Sequence, residues 1–338
     1  MTDNSTQPGL PDRMVDWINN LPIPKWLFYL ILIVVLGLIN SMSAWSLGTR
    51  PWGVFEFESA TDGIWPTFFV AMLVMLVNRG RAAFDKYRPL LPADAHNAEL
   101  ENRFTVISRR TGRIGLLVGA FFVLQELISR FAQGLFTVAG ILSTVYFLTF
   151  LWLVGFAFTA TLLFLLRQIR IIQRLHREAE GVDLFHLAPA HAFSELTAGT
   201  GISLMLTATF GVIQVWNNPA NTYYFVLDAV LMAFGVMAFF LPLQGMRRKL
   251  REVKAEELHR ANQRVKDAYE HLTNEADAGN YDKLGAARTA FESLASVRNE
   301  IARVSTLPWE TSTFRGFASA FLLPILLFIA TQLIGRFL

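Results

Sequence analysis

Long apolar stretches, almost free of charge, alternate along this chain with stretches dense in Lys, Arg, Asp and Glu. Seven of them run at about 26–47, 61–78, 114–132, 134–166, 197–216, 222–244 and 316–335. An apolar run of about 18 or more residues is long enough to cross the hydrocarbon of a bilayer as a helix. The pattern predicts an all-α fold, a polytopic seven-helix membrane bundle. The fourth run is longer than a ~30 Å core requires. The RQIRIIQRLHRE stretch after it predicts that its helix continues into water. The first run begins late and is too long for the h-region of a signal peptide.

The polar stretches divide the chain into an N-terminal tail at 1–25, six spans with their connections at 26–244, a soluble insertion at 245–312 and a seventh span at 313–338. Within the insertion, Leu258, Ala261, Val265, Ala268 and Leu272 alternate at three and four residues, a heptad seam. Phe291, Leu294, Val297, Ile301 and Val304 repeat a similar spacing. Ala278, Gly279 and Asn280 lie between them as helix stop and turn. The prediction is an antiparallel helical hairpin before the last span. Its seams either pack within the chain or join subunits, and the second case makes the protein a homo-oligomer through the hairpin. Leu307-Pro308-Trp309 is expected to end the second helix, and Thr311, Ser312 and Thr313 offer N-caps for the last span.

Composition sharpens this picture. Of the 338 residues, 53% are hydrophobic and 17% charged, too apolar for a soluble enzyme of this length. A net charge of +3 without a basic domain gives no footprint for nucleic acid. The absence of cysteine excludes disulfides, thiol catalysis and thiolate metal sites. The distribution of base is more informative than its total. Of 30 Lys and Arg residues, all but Arg50, Arg130 and Arg336 fall in the tail or in connections that seven spans place on one side. Basic loops stay in the cytoplasm. The N-terminus is therefore expected inside and the C-terminus outside. Rhodopsins and G-protein-coupled receptors have the opposite orientation. A retinal Schiff base also needs a lysine in the last span, and none follows Lys283.

The outer connections are small: Gln133-Gly134 between spans three and four, and Asn217 to Asn221 between five and six. A small-molecule ligand from outside would have to bind within the bundle. Ionisable groups inside spans are expensive and point to function by default. Glu126 and Arg130 lie four apart in the third span and share a helix face. At 1.5 Å per residue from Arg113, Glu126 is about 20 Å along, in the outer half. Asp228 and Gln214 fall near the outer ends of spans six and five, and Thr331 and Gln332 near that of span seven. Glu126, Arg130, Gln214 and Asp228 are the candidate outer pocket. The competing reading is a snorkelling Arg130–Glu126 pair at the interface. Glu56, Glu58 and Asp62 add acid on the same side. His176, His186 and His191 fit no metal motif and read as solvated surface histidines. No catalytic motif and no cofactor site is present, so the protein is not expected to be an enzyme.

This arrangement resembles the insect odorant and gustatory receptor superfamily. The shared features are an inside N-terminus, seven spans, short outer loops and a helical insertion before the last span. That family's last span carries Thr-Tyr, five apolar residues, then Gln-Phe. Here the stretch reads Ile325-Leu326, then LFIAT, then Gln332-Leu333. Gln332 matches by position, while the Thr-Tyr pair is absent and the Phe is Leu. The resemblance implies a ligand-gated cation channel, with Thr331 and Gln332 at its pore or gate and the cytoplasmic helices as the anchor between subunits. The alternative is a non-conducting membrane scaffold or sensor whose hairpin recruits a partner.

Overall fold

A computed structural model of the chain describes residues 8–55, 63–92, 96–132, 141–217 and 223–337. The chain is all-helical there, with no strand among the described residues and one isolated bridge between Pro8 and Ser108. The helices are α1 (Leu10–Asn19), α2 (Lys25–Ser46), α3 (Ile64–Tyr87), α4 (His96–Thr105), α5 (Arg109–Ala132) and α6 (Ile141–Glu178). They continue with α7 (Ser194–Asn217), α8 (Tyr223–Phe240), α9 (Gln244–Asp277), α10 (Tyr281–Arg303) and α11 (Thr311–Phe337). Among the described residues, six stretches are long and apolar enough to cross a membrane, in α2, α3, α5, α6, α8 and α11. This is compatible with an integral membrane protein. The fifth expected span falls in α7, an unbroken helix of 24 residues. Glu56, Glu58, Asp62, the 133–134 connection and Asn218 to Asn221 lie outside the described residues.

α3, α6 and α7 form the centre. The most apolar window of α3 is 61% buried, against 17% in both α5 and α11, so α3 is a core helix and the other two are peripheral. Phe69, Leu73, Leu76 and Val77 of α3 are sealed inside. On α5, by contrast, Leu117, Phe121, Leu124 and Ile128 point outward. A helix that is apolar on its exposed face needs a non-aqueous neighbour. Small residues bring the spans close, as they do where lipid tails cannot drive association. A Cβ on Gly119 of α5 would lie 2.9 Å from the Trp152 carbonyl oxygen of α6. One on Gly201 of α7 would lie 2.7 Å from the Phe317 ring of α11 and 3.1 Å from the Gly235 carbonyl oxygen of α8.

Arg79 to Arg88 close α3, Arg109 to Arg113 open α5 and Arg167 to Arg177 follow the apolar part of α6, and the end of the bundle where these stretches lie is here called the basic end. There α6 runs on well past its apolar part, its 38 residues reaching about 57 Å. The tail is structured as well. α1 starts with Pro11 in its first turn, where a missing N–H costs nothing. It docks on α3 through the paired amides of Asn19 and Asn78, and on the connection before α5 through the Gly9 N–H to the Ile107 carbonyl (2.9 Å) and the Ile107 N–H to Asp12 Oδ1 (3.1 Å). Burial raises the pKa of Asp12, and the hydrogen bond from Ile107 opposes that rise.

α9 leaves α8 through Leu241–Leu243 and extends 34 residues, about 50 Å. Gly279, at φ +70°, turns the chain back into α10, a conformation that side chains other than Gly adopt at a cost. Leu258, Ala261, Val265, Ala268 and Leu272 are buried or half-buried along α9, and Phe291, Leu294 and Ile301 along α10. The two helices face each other: Tyr269 meets Phe291 at 6.1 Å, and Lys254 Nζ donates to the Ala302 and Val304 carbonyls at 2.7 Å. Val297 is off this seam and exposed. α10 stops at Arg303, ahead of Leu307-Pro308-Trp309, and α11 already begins at Thr311, so Thr311, Ser312 and Thr313 are its first turn rather than its cap.

Candidate functional site

The candidate residues in the spans fall into two groups on different helix pairs. The first group joins α5 to α6. Arg130 is buried, and its Nε donates to Glu126 Oε1 at 2.7 Å, one turn away on the same face of α5. Its Nη1 reaches Ser143 Oγ and Thr144 Oγ1 of α6, both at 3.4 Å. The guanidinium carbon sits 4.6 Å from the centre of the Phe147 ring. Carboxylate, two hydroxyls and a ring face thus compensate one buried cation.

The second group joins α7 to α8. Asp228 is buried at 4% exposure. A Cβ on Gly211 of α7 would fall 2.0 Å from Asp228 Oδ1, so the carboxyl rests directly on the bare backbone of α7. Neither carboxyl oxygen has a hydrogen-bond partner among the described residues. No hydrogen bond or ion pair there joins Asp228 to Glu126 or Arg130. Gln214 is three residues beyond Gly211 on α7, and Thr331 and Gln332 are helical in α11, but their side chains lie outside the described ones. The spacing of the polar residues makes their depth legible; the seat that Gly211 provides needs two helices to be known as neighbours.

A third polar cluster, at the basic end, escaped the sequence. Gln168 is 1% exposed, and its Nε2 donates to the carbonyls of Leu76 in α3 (3.2 Å) and Phe104 in α4 (3.4 Å). A cavity of about 10 Å³ lies beside it, lined by Thr197, Thr200 and Pro242 among others. His176 is not a solvated surface histidine but is buried at 1% exposure. Its Nδ1 is 3.0 Å from the Pro242 carbonyl oxygen, which only accepts, so that nitrogen carries the proton. The signal in the sequence is only that Gln168 and His176 lie in the RQIRIIQRLHRE stretch directly after the fourth apolar run.

His191, in the connection before α7, is half-buried. Burial lowers its pKa, against smaller opposing effects of Glu310 and the Leu307 backbone. The fold thus favours the neutral ring. The stability this contributes is complete above the unfolded value of 6.5 and falls as the pH drops through it. Melting temperature in detergent is expected to decline between about pH 7 and 5, and His191→Gln to flatten that decline. An unchanged slope in the variant would assign the acid sensitivity elsewhere. Among the described residues no group of three or more His, Asp or Glu side chains is placed to hold a metal.

No protein-family model, curated protein or solved structure matches the chain.

Proposed function

We propose that the protein is a seven-span membrane scaffold that holds the α9–α10 pair in the cytoplasm, where it recruits a partner. One observation supports this reading above others. α9 extends about 50 Å from the apolar part of the chain, and its outward faces carry charge rather than a folded domain. Glu256, Glu257 and Arg260 form one such exposed ion-pair group, and Arg288 and Glu292 another on α10. The apolar seam is taken up between the two helices, leaving the pair a solvated arm. The experiment that tests it is cation flux into liposomes holding the purified protein. A scaffold gives none above empty vesicles, and single-channel currents overturn the reading.

A second reading, a cation channel of the odorant-receptor type, draws on α11. Leu322, Leu323, Ile325, Leu326 and Ile329 leave most of its circumference exposed, and within one chain it packs chiefly on α7. Such a helix is free to line an axis between copies, and currents in the same liposomes favour this reading.

Both readings share one topology. Because the chain has no cysteine, single-cysteine labelling reads it directly. Ala278→Cys is expected to react only with reagent on the cytoplasmic side, and Leu338→Cys only from outside. Labelling of residue 278 from outside would overturn the orientation and the cytoplasmic arm together.

A further inference from the structure

Asp228 has an environment that an ionised carboxylate does not tolerate. It lies six residues into α8, within an apolar segment, and it is buried with both oxygens unpartnered among the described residues. Among the described side chains of α7, none donates to it. Thr207 and Thr209 give their hydroxyl protons to the Ser203 and Met205 carbonyls, at 2.9 and 3.0 Å. Among the described side chains no countercharge faces it, and that of Arg336, at the outer end of α11, lies outside them. Glu195 is at the far end of α7, and the arginine that touches α7, Arg79, lies at Gly199, about 18 Å down the helix from Gly211. α3 and α6 meet α8 around a small cavity with Phe69, Met72, Phe158, Thr161 and Leu165, of which none titrates. α11 reaches α8 at Phe239, eleven residues from Asp228, and its Arg315 is exposed there.

A metal ion does not resolve this, because a hard cation takes several oxygen ligands and the described surroundings offer one carboxyl group. A proton does: it converts the group to a neutral acid, whose burial costs far less than that of a charge. We propose that Asp228 is a proton-binding site inside the bundle, seated on Gly211 and holding its proton at neutral pH. The seat is particular to glycine at that position, since a methyl group on residue 211 would occupy the space of the carboxyl. The inference concerns what the bundle binds and holds whether the protein is a scaffold or a channel.

Carbodiimides test it on the folded protein in liposomes. A carboxylic acid adds its O–H across a carbodiimide C=N bond: the proton goes to nitrogen and the oxygen to carbon, and the acyl group then migrates to nitrogen. Nothing leaves, and the adduct has the summed mass. Dicyclohexylcarbodiimide, which partitions into lipid, is expected to modify Asp228 at neutral pH, as read by mass spectrometry of the peptide that contains it. Asp228→Asn is expected to remove the adduct, and Gly211→Ala to reduce it by displacing the acid. A water-soluble carbodiimide is expected to leave Asp228 untouched. Absence of the adduct from the folded unmodified protein would overturn the proposal. So would equal modification by the water-soluble reagent, or protection when sodium replaces choline at constant ionic strength, which would make the ligand a cation.

Discussion

Glu126→Ala is expected to destabilise the protein by about 3 kcal/mol or more, because it strands a buried guanidinium. The comparison with Arg288–Glu292 on α10 shows why the effect is large. Both pairs are spaced i,i+4 with an Nε to Oε1 distance of 2.7 Å. The side chains of Arg288 and Glu292 are 73% and 58% exposed, whereas those of Arg130 and Glu126 are 10% and 27% exposed. Water screens the first pair, so Glu292→Ala is expected to leave the melting temperature almost unchanged. Ser143 and Thr144 remain near Arg130, but two neutral hydroxyls at 3.4 Å do not replace a carboxylate at 2.7 Å. Glu126→Gln keeps an acceptor and is expected to cost less than Glu126→Ala. Combining Glu126→Ala with Arg130→Met removes the stranded charge and is expected to recover much of the loss. Thermal unfolding in detergent reads all four variants, and Arg130→Met alone closes the double-mutant cycle that gives the coupling. Equal melting of Glu126→Ala and the unmodified protein would show that the pair contributes nothing.

That pair was legible in the sequence because helix periodicity alone brings Glu126 and Arg130 together. The same holds for the apolar helices and for the turn at Gly279, which depend on local pattern and backbone freedom. The seam of α9 was legible as a face, but its partner was not, since periodicity does not say which helix covers it. On α10 the sequence spacing included Val297, which the helix places outside the seam. Contacts between distant segments were the hardest to read. α1 is held by bonds from Gly9 and Asp12 to Ile107, about 95 residues away along the chain. His176 reads as a charged-stretch histidine among arginines, yet the bend at Pro242 and the rings of Tyr87 and Phe193 enclose it. Asp228 was visible as a costly residue, but the reason it has a place to sit is a glycine on another helix.

The enclosure of His176 leads to the second large effect, Tyr87→Ala. The rings of Tyr87, Phe104 and Phe193 are fully buried where α3, α4, α6 and the connection before α7 meet. Tyr87 lies 4.9 Å from Phe193 and 5.5 Å from His176, and its hydroxyl donates to the Leu175 carbonyl at 3.2 Å. Truncating such a ring to Ala costs about 3–5 kcal/mol, whereas Tyr87→Phe, which loses the hydrogen bond and keeps the packing, costs about 1 kcal/mol. The consequence reaches the arm. His176 holds the Pro242 carbonyl, a Cβ on Gly245 would come within 3.0 Å of the His176 Cβ, and Lys249 Nζ donates to the Ala179 carbonyl. The base of α9 therefore rests on the end of α6 that the Tyr87 ring packs against. Tyr87→Ala is expected to loosen that base and spread the directions in which the arm projects. Spin labels on Ala278→Cys and Arg177→Cys measure this without interference, since the chain has no cysteine of its own. A single narrow distance in the unmodified background and in Tyr87→Phe, with a broadened one in Tyr87→Ala, is the expected result. A distance that stays narrow in Tyr87→Ala would mean that the contacts of Gly245 and Lys249 orient the arm without the ring.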